Sequence, residues 1–451
     1  MTRNPPQFRL PAALQSIASV ASNILNGSLT ADESIATYRD RSIQWNPKLN
    51  AFVSFCDAPF QKARGQAPLS GVTIGVKDLF DLKGYPTRAG SQATSDEIKN
   101  ESAEVVSLLE AAGATMLGKT HTVEFAFGGW GTNGTFGTPW NPWDVETHRV
   151  PGGSSSGSAV AVAAGLVTAA LGTDTGGSIR TPASYCGIVG VKPSPGLISK
   201  SGVFALCPLH DTVGILARSV DDASILLDVM AGHPATVGPE GPQQPSTFRN
   251  VLGNGLPGLR IGALGTDELL SASEDVRGLF EQAVATFIRA GALLETVTFP
   301  QRLVGYLESA GNIMAAESYR TLARYVDPEP CLVSEVIRAR ILRGRTYDNL
   351  QYTEMLEART SAKKEFEQSV SGIDAFIMPT CIEAAIPVRS VDEGRIVTPY
   401  GRFVNYLDLA AISVPMGLSR DGLPLGLQIV VRQNDDALMI RIANAFEELC
   451  V

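Results

Sequence analysis

The chain has 451 residues, 44% hydrophobic and 18% charged, which is enough apolar material for one large domain or two ordinary ones and excludes a disordered chain. Its formal net charge of -9 is spread without long single-sign runs, and no basic stripe interleaved with aromatics is present to neutralise phosphates, so direct nucleic-acid binding is not expected. Six cysteines, at 56, 186, 207, 331, 381 and 450, form no CxxC and no cluster with histidine, which argues against a zinc site or a disulfide framework and for reduced thiols in a cytoplasm.

The first residues, MTRNPPQFRLPAALQS, lack the unbroken apolar run of a secretory signal, so export by that route is not expected. ADESIATYRDRS reads as an exposed helix. GVTIGVKDLFD reads as a core strand entering a loop that carries Lys77, and ESAEVVSLLEAAGATMLGKT as an amphipathic helix, a glycine break and a short apolar strand. This alternation marks an α/β chain. The longest uncharged stretch, Val150 to Thr173, opens with VPGGSSSGS, leaving too few apolar residues for a membrane span of about 20. SGSAVAVAAGLVTAA within it reads as a small-residue helix packed on all sides. Prolines at 234, 239, 242, 245 and 257 mark a surface excursion over about 232–258 within a single domain spanning 1–451. LRIGAL, the helix around SEDVRGLFEQAVATFIRAGA, and LLETVTF then repeat strand, helix and strand. IDAFIMPT, LPLGLQIVV and the closing helix DDALMIRIANAFEEL complete the pattern.

GTDTGGSIRTPA, residues 172–183, sets Ser178 on a glycine turn, the setting of a nucleophile that needs a base. The chain has only four histidines, His121, His148, His210 and His233, and the sequence alone excludes none of them as that base. GSSSG at 153–157 matches the G-x-S-x-G elbow with Ser155 at its centre, but THRVPG precedes it where a strand is required. Ser361 and Lys364 fit S-x-x-K inside a charged helix that reads as a solvated face. Lys77, in TIGVKDLF, is set among apolar residues that favour a neutral amine. A pairing of Lys77 with the adjacent Asp78 accounts for the same stretch equally well.

Taken together, GVTIGVKDLFD with Lys77, PGGSSSGSAVAVAAG with Ser154, and GTDTGGSIRTPASYCGIVGVKP with Ser178 resemble the amidase signature family, in the same order and across nearly the whole chain. The resemblance implies a single large α/β domain with a mixed central sheet covered by helices on both faces. It also implies a Ser-Ser-Lys relay: Ser178 as nucleophile, Ser154 after a cis Gly153–Ser154 peptide as bridge, and Lys77 as base. The amides of Thr175, Gly176, Gly177 and Ser178 would form the oxyanion hole, with Ser155, Asp174 and Arg180 supporting the loops. EFAFGGWGTNGTFG falls where the family places substrate-facing residues, which gives Phe125, Phe127, Gly129 and Trp130 as candidate pocket wall. Thr181 stands where some members hold a substrate carboxylate with a basic side chain, so an acidic substrate is disfavoured unless another arginine reaches in. The expected activity is hydrolysis of a small carboxamide through a Ser178 acyl-enzyme, without metal or organic cofactor. The expected partners are a small-molecule amide and a second copy of the chain, with no direct nucleic-acid partner and no membrane. The alternatives are the amidase subunit of a glutamine-dependent tRNA amidotransferase and a catalytically silent binding protein on the same scaffold.

Overall fold

Short runs of Val, Ile, Ala and Gly, the composition of strands buried on both faces, build most of an 11-stranded mixed sheet. The computed structural model describes residues 5–56, 67–233 and 248–450, with the backbone of 237–238 and 241–242. In chain order the strands are β1 (Phe52–Phe55), β2 (Thr73–Lys77), β3 (Thr115–Thr120), β4 (Ala169–Asp174), β5 (Val189–Lys192), β6 (Thr212–Ala217), β7 (Val237–Gly238), β8 (Gly241–Pro242), β9 (Arg260–Leu264), β10 (Leu293–Val297), β11 (Ala375–Pro379), β12 (Ala410–Leu418) and β13 (Pro424–Val431). The large sheet runs β1-β3-β2-β4-β6-β5-β12-β13-β11-β9-β10, and β7 pairs only with β8. β2 is parallel to both β3 and β4, β9 is parallel to β10 and β11, and the centre from β4 through β13 is antiparallel.

Alternation along β4 divides the core. Ala169 and Leu171 pack with Ile74, Val76, Val213 and Ile215 on one face, whereas Ala170 packs with Leu216 and the helix Ser156–Ala163 on the other. The expected single α/β domain with both faces covered is therefore the observed one. The helix Ser156–Ala163 is buried along its whole length, and each valine it buries contributes roughly 1.5–3 kcal/mol. Gly157 lets it seat: a Cβ there would lie 2.2 Å from the Ala51 carbonyl oxygen and 2.3 Å from the His121 amide. The exposed helix read near the start spans Ala31–Leu49 and opens on a capping box formed by Thr30 and Glu33.

No strand precedes Gly153, so the G-x-S-x-G match lacks its structural context, and Ser361 and Lys364 lie exposed on the helix Asn349–Ser369. Of the excursion at about 232–258, residues 234–236, 239–240 and 243–247 lie outside the described residues. Among the described residues no helix is long and apolar enough to cross a membrane.

Candidate active site

β2 ends at Lys77 and its parallel neighbour β4 ends at Asp174. Loops leaving the carboxyl ends of adjacent parallel strands are where α/β sheets build their sites. The loop after β4 carries Thr175 to Ser178, and the helix Arg180–Cys186 follows it. Across from it the chain enters the helix Ser156–Ala163 through Gly153 and Ser154, whose peptide bond is cis. The Ser155 amide donates to the Ser178 carbonyl (3.1 Å), which holds the two loops side by side. Gly172 provides the room, since a Cβ there would lie 2.9 Å from Ser155 Oγ.

Lys77 is fully buried. Its Nζ lies 2.8 Å from Ser154 Oγ, 2.9 Å from Ser155 Oγ and 2.8 Å from Thr173 Oγ1. Burial pulls the amine down from 10.5 to about 7, against the fields of Asp174 and Asp211, which favour its charged form. A displacement of that size corresponds to about 5 kcal/mol of bias toward the neutral amine. A neutral amine has two N–H donors and one lone pair, so one of its three hydroxyl neighbours must donate to it. Ser155 Oγ already donates to the Thr173 carbonyl at 3.3 Å, which leaves the hydroxyls of Ser154 and Thr173 free to be that donor. The alternative pairing of Lys77 with Asp78 does not occur: Asp78 meets Lys119 Nζ at 3.1 Å in a separate buried pair. Thr173, the third neighbour of Lys77, is absent from the sequence expectation although it stands inside GTDTGGSIR.

Arg180 and Asp174 form a wholly buried ion pair, with Nη2 2.7 Å from Oδ1 and Nε 3.0 Å from Oδ2. Burial would raise the Asp174 carboxyl, but the guanidinium holds it far below the ordinary carboxylate range. Arg180 also donates to Gln428 Oε1 (2.6 Å), Asn405 Oδ1 (2.8 Å) and the Gly401 carbonyl (3.1 Å), tying the loop to the far part of the sheet. Asp174 accepts from the amides of Gly177 (2.8 Å) and Ile179 (3.1 Å). This amends the expected set of oxyanion donors. The Gly177 amide is already committed to a carboxylate, whereas those of Thr175, Gly176 and Ser178 donate to no group among the described residues.

Ser178 is partly exposed and opens onto a cavity of about 310 Å³. Phe127, Gly129, Trp130 and Thr181 line it. Trp130 is nearly buried and donates through Nε1 to the Asp392 carbonyl at 3.0 Å, so it stiffens the wall. Phe125 is not part of the lining: it is turned into the core, stacked on Phe204 at 5.6 Å and against Tyr325 at 5.3 Å. The opposite wall carries Arg340, Arg343, Arg395 and Arg402, none of which the sequence singled out. Their only sequence signal is charge within stretches otherwise fit for burial, such as YGRFVNYLDLAAIS. Among the described residues no histidine bonds to Ser154, Ser178 or Lys77, and no group of three His, Cys, Asp or Glu is placed to hold a metal ion.

A large mixed sheet and a buried lysine against a glycine-held serine loop define an enzyme acting on amide C–N bonds. Residues 33–440 match the Amidase family model, and the chain belongs to the amidase signature family. It is 35% identical to the A-type subunit of a glutamyl-tRNA(Gln) amidotransferase of Anaeromyxobacter dehalogenans (strain 2CP-C), over 95% of this chain and 94% of that one. The solved A-type subunit of the glutamyl-tRNA(Gln) amidotransferase of Thermotoga maritima superposes with a TM-score of 0.82 at 28% identity, covering 98% of this chain and 96% of that one. An inhibitor-bound vestigial protein complex bearing on the origins of an s-triazine catabolic enzyme gives a TM-score of 0.86 at 25% identity, covering 97% and 99%.

These relatives correct the expectation that the partners are a small-molecule amide and a second copy of the chain, with no direct nucleic-acid partner. One component of an assembly named for tRNA is what this chain is similar to over nearly its full length. Net charge and the absence of a basic stripe report on one chain's own surface, and a component can meet nucleic acid through an assembly whose other chains carry the charge.

Proposed function

We propose that the chain is the amidase subunit of a glutamine-dependent amidotransferase, releasing ammonia from a carboxamide at Ser178 for use by a partner subunit. The observation that carries the chemistry is the buried Lys77 Nζ, 2.8 Å from Ser154 Oγ, beside a loop that presents Ser178 to the cavity. The similarity to the amidotransferase subunits over nearly the whole chain carries the assembly.

In this reading Ser154 passes its proton to the lone pair of Lys77 and takes the proton of Ser178, whose Oγ attacks the amide carbon. The oxygen that gains charge is met by the amides of Thr175, Gly176 and Ser178, which need no reorganisation to receive it. Collapse breaks the C–N bond, and the departing nitrogen takes the proton back from Lys77 through Ser154, leaving as ammonia. Water then repeats the sequence against the Ser178 ester and releases the carboxylic acid. Asp174 and Arg180 touch no reacting atom in this scheme; they hold the loop.

The test is ammonia release from glutamine by the wild-type chain and by Ser178→Ala, with fluorophosphonate labelling of both. Release and labelling are expected only with Ser178 present; turnover by the alanine variant would refute the nucleophile. A chain that releases no ammonia and takes no label would instead be a silent binding protein. Addition of companion amidotransferase subunits, glutamyl-tRNA(Gln) and ATP, which activates the glutamyl carboxylate by phosphorylation, should yield glutaminyl-tRNA(Gln) at the expense of glutamine. If amides are hydrolysed but the tRNA is never amidated, the assembly assignment fails and the hydrolytic one stands.

A further inference from the structure

One stretch of the cavity wall is built unlike the rest. No helix or strand runs through residues 391–397, yet Glu393, Gly394, Arg395, Ile396 and Val397 all line the cavity. Gly394, Arg395 and Ile396 are also exposed, so a single thickness of chain separates the cavity from solvent there. The amides of this strap reach no other part of the protein among the described residues. Val391 donates to the Val388 carbonyl (3.2 Å), Arg395 to the Asp392 carbonyl (3.1 Å) and Gly394 to Asp392 Oδ1 (2.8 Å). Its ends are fixed, because the Val388 amide donates to the His148 carbonyl at 2.8 Å and Thr398 Oγ1 to the Thr380 carbonyl at 2.9 Å. A segment whose backbone bonds are self-contained can open between fixed ends without unfolding its surroundings.

What holds the strap down is concentrated at one residue. Glu393 accepts from Thr132 Oγ1 at 2.5 Å through one carboxylate oxygen and from Arg340 Nη2 at 2.9 Å through the other, and its carbonyl accepts from the same guanidinium. Arg340 Nη1 donates in turn to the Phe127 carbonyl at 2.6 Å, which braces the contact on the segment that carries Phe127 and Trp130. Beyond Glu393 the strap has the Trp130–Asp392 bond and the ion pair of Arg395 with Glu383 at 2.7 Å. Val391 and Val397 pack on a small cluster that includes Trp130 and Tyr185. In that cluster the Tyr185 hydroxyl is buried without a hydrogen-bond partner, with the Cys381 thiol close by. A buried hydroxyl left unsatisfied costs stability.

We propose that residues 391–397 are a flap over the cavity of Ser178 and that Glu393 is its latch, letting go of Thr132 and Arg340 together when the flap lifts to admit substrate. Lifting Val397 off the cluster also gives water access to the Tyr185 hydroxyl. The bulkier the ligand, the more its entry depends on the open form.

Two measurements read the open population. Trypsin must draw several residues around Arg395 into its own cleft, so cleavage after Arg395 follows the fraction of flap that is open. Glu393→Gln keeps the size of the side chain but loses its charge, and should speed that cleavage by roughly 5- to 30-fold, between the worth of an exposed ion pair and that of a charged hydrogen bond. Glu393→Asp should keep part of the protection. Glu329→Gln, which frees Arg338 on the helix that also carries Arg340, should leave it unchanged. The second measurement is the labelling rate of Ser178 by diisopropyl fluorophosphate and by a fluorophosphonate with a long biotin arm. Glu393→Gln should accelerate the biotin reagent more than the small one. Unchanged cleavage after Arg395 in Glu393→Gln, or equal effects on the two reagents, would overturn the flap. Labelling rests on Ser178 as nucleophile and cleavage does not: accelerated cleavage in a protein that takes no label refutes the nucleophile and leaves the flap standing.

Discussion

The cavity has two sides made of different material. The relay side, residues 77 to 178, consists of one buried amine, hydroxyls and glycines so tightly set that a Cβ on Gly153 would lie 2.7 Å from the Gly131 amide. The wall side, from the helix Leu303–Val326 to Arg402, is made of long arginines reaching in from separate elements. Chemistry needs fixed distances and a desolvated base, which backbone and small side chains provide. Selection needs only a charge that can reach, so the wall side can change its residues while the relay side stays as it is.

The largest expected break falls on the relay side. Lys77→Met should lower kcat/KM by roughly 10²–10⁴-fold, the usual contribution of a positioned base, while the protein stays folded. The wild-type profile should rise with pH through about 7, where the buried amine becomes neutral, and level off above it. Stability has its own sign. Between about 7 and 10.5 the unfolded chain holds a proton on this amine that the folded chain has released, so Lys77 penalises folding at neutral pH, and the penalty shrinks as pH rises toward 10.5. Melts of Lys77→Met should lack that portion of the pH dependence. Unaltered turnover in the methionine variant would dissolve the distinction between the two sides.

The next effect tests the joint between them. Asp174→Asn leaves Arg180 buried and facing only neutral partners in Gln428, Asn405 and Gly401. Breaking a buried pair from one end costs about 3–5 kcal/mol. Denaturant unfolding should register that loss, and activity should fall with it as the Gly177 and Ile179 amides lose an anchor. A stability change below about 1 kcal/mol would mean that the two sides are not braced through this pair.

The unequal construction explains what could be read without coordinates. Lys77, Ser154 and Ser178 stand in runs of glycine and small residues, because backbone close approach forbids most other choices and so leaves a local pattern. The strands were legible for a similar reason, since burial on both faces leaves continuous apolar runs such as TIGV and LGLQIVV. Arg402 leaves no pattern: a flexible side chain can enter a cavity from many positions, and only the fold shows that residue 402 lies against residue 176. Phe125 shows the same limit from the other direction, because an aromatic in a substrate-facing segment can turn inward to stack on Phe204. The amide of Gly177 could not be assigned to Asp174 until the turn geometry was known.

The smallest effect is the sharpest test of the two-sided reading. Asp211 lies behind the relay, where Thr175 Oγ1 donates to it at 2.6 Å and the amides of Leu206 and Cys207 donate to its other oxygen. Burial raises it to about 6, so at pH 7 it is mostly ionised and its field favours the charged form of Lys77. Asp211→Asn keeps an oxygen for the two amides and turns its amide group toward Thr175 Oγ1, which can accept. Losing the charge should move the kinetic ionisation of Lys77 downward, so that activity levels off at a lower pH, with KM unchanged. Arg402→Gln, on the wall side, should do the reverse, altering KM and leaving the position of the ionisation alone. A shift in both quantities from either substitution would mean that base and selector share one electrostatic field, and the division of labour across the cavity would have to be given up.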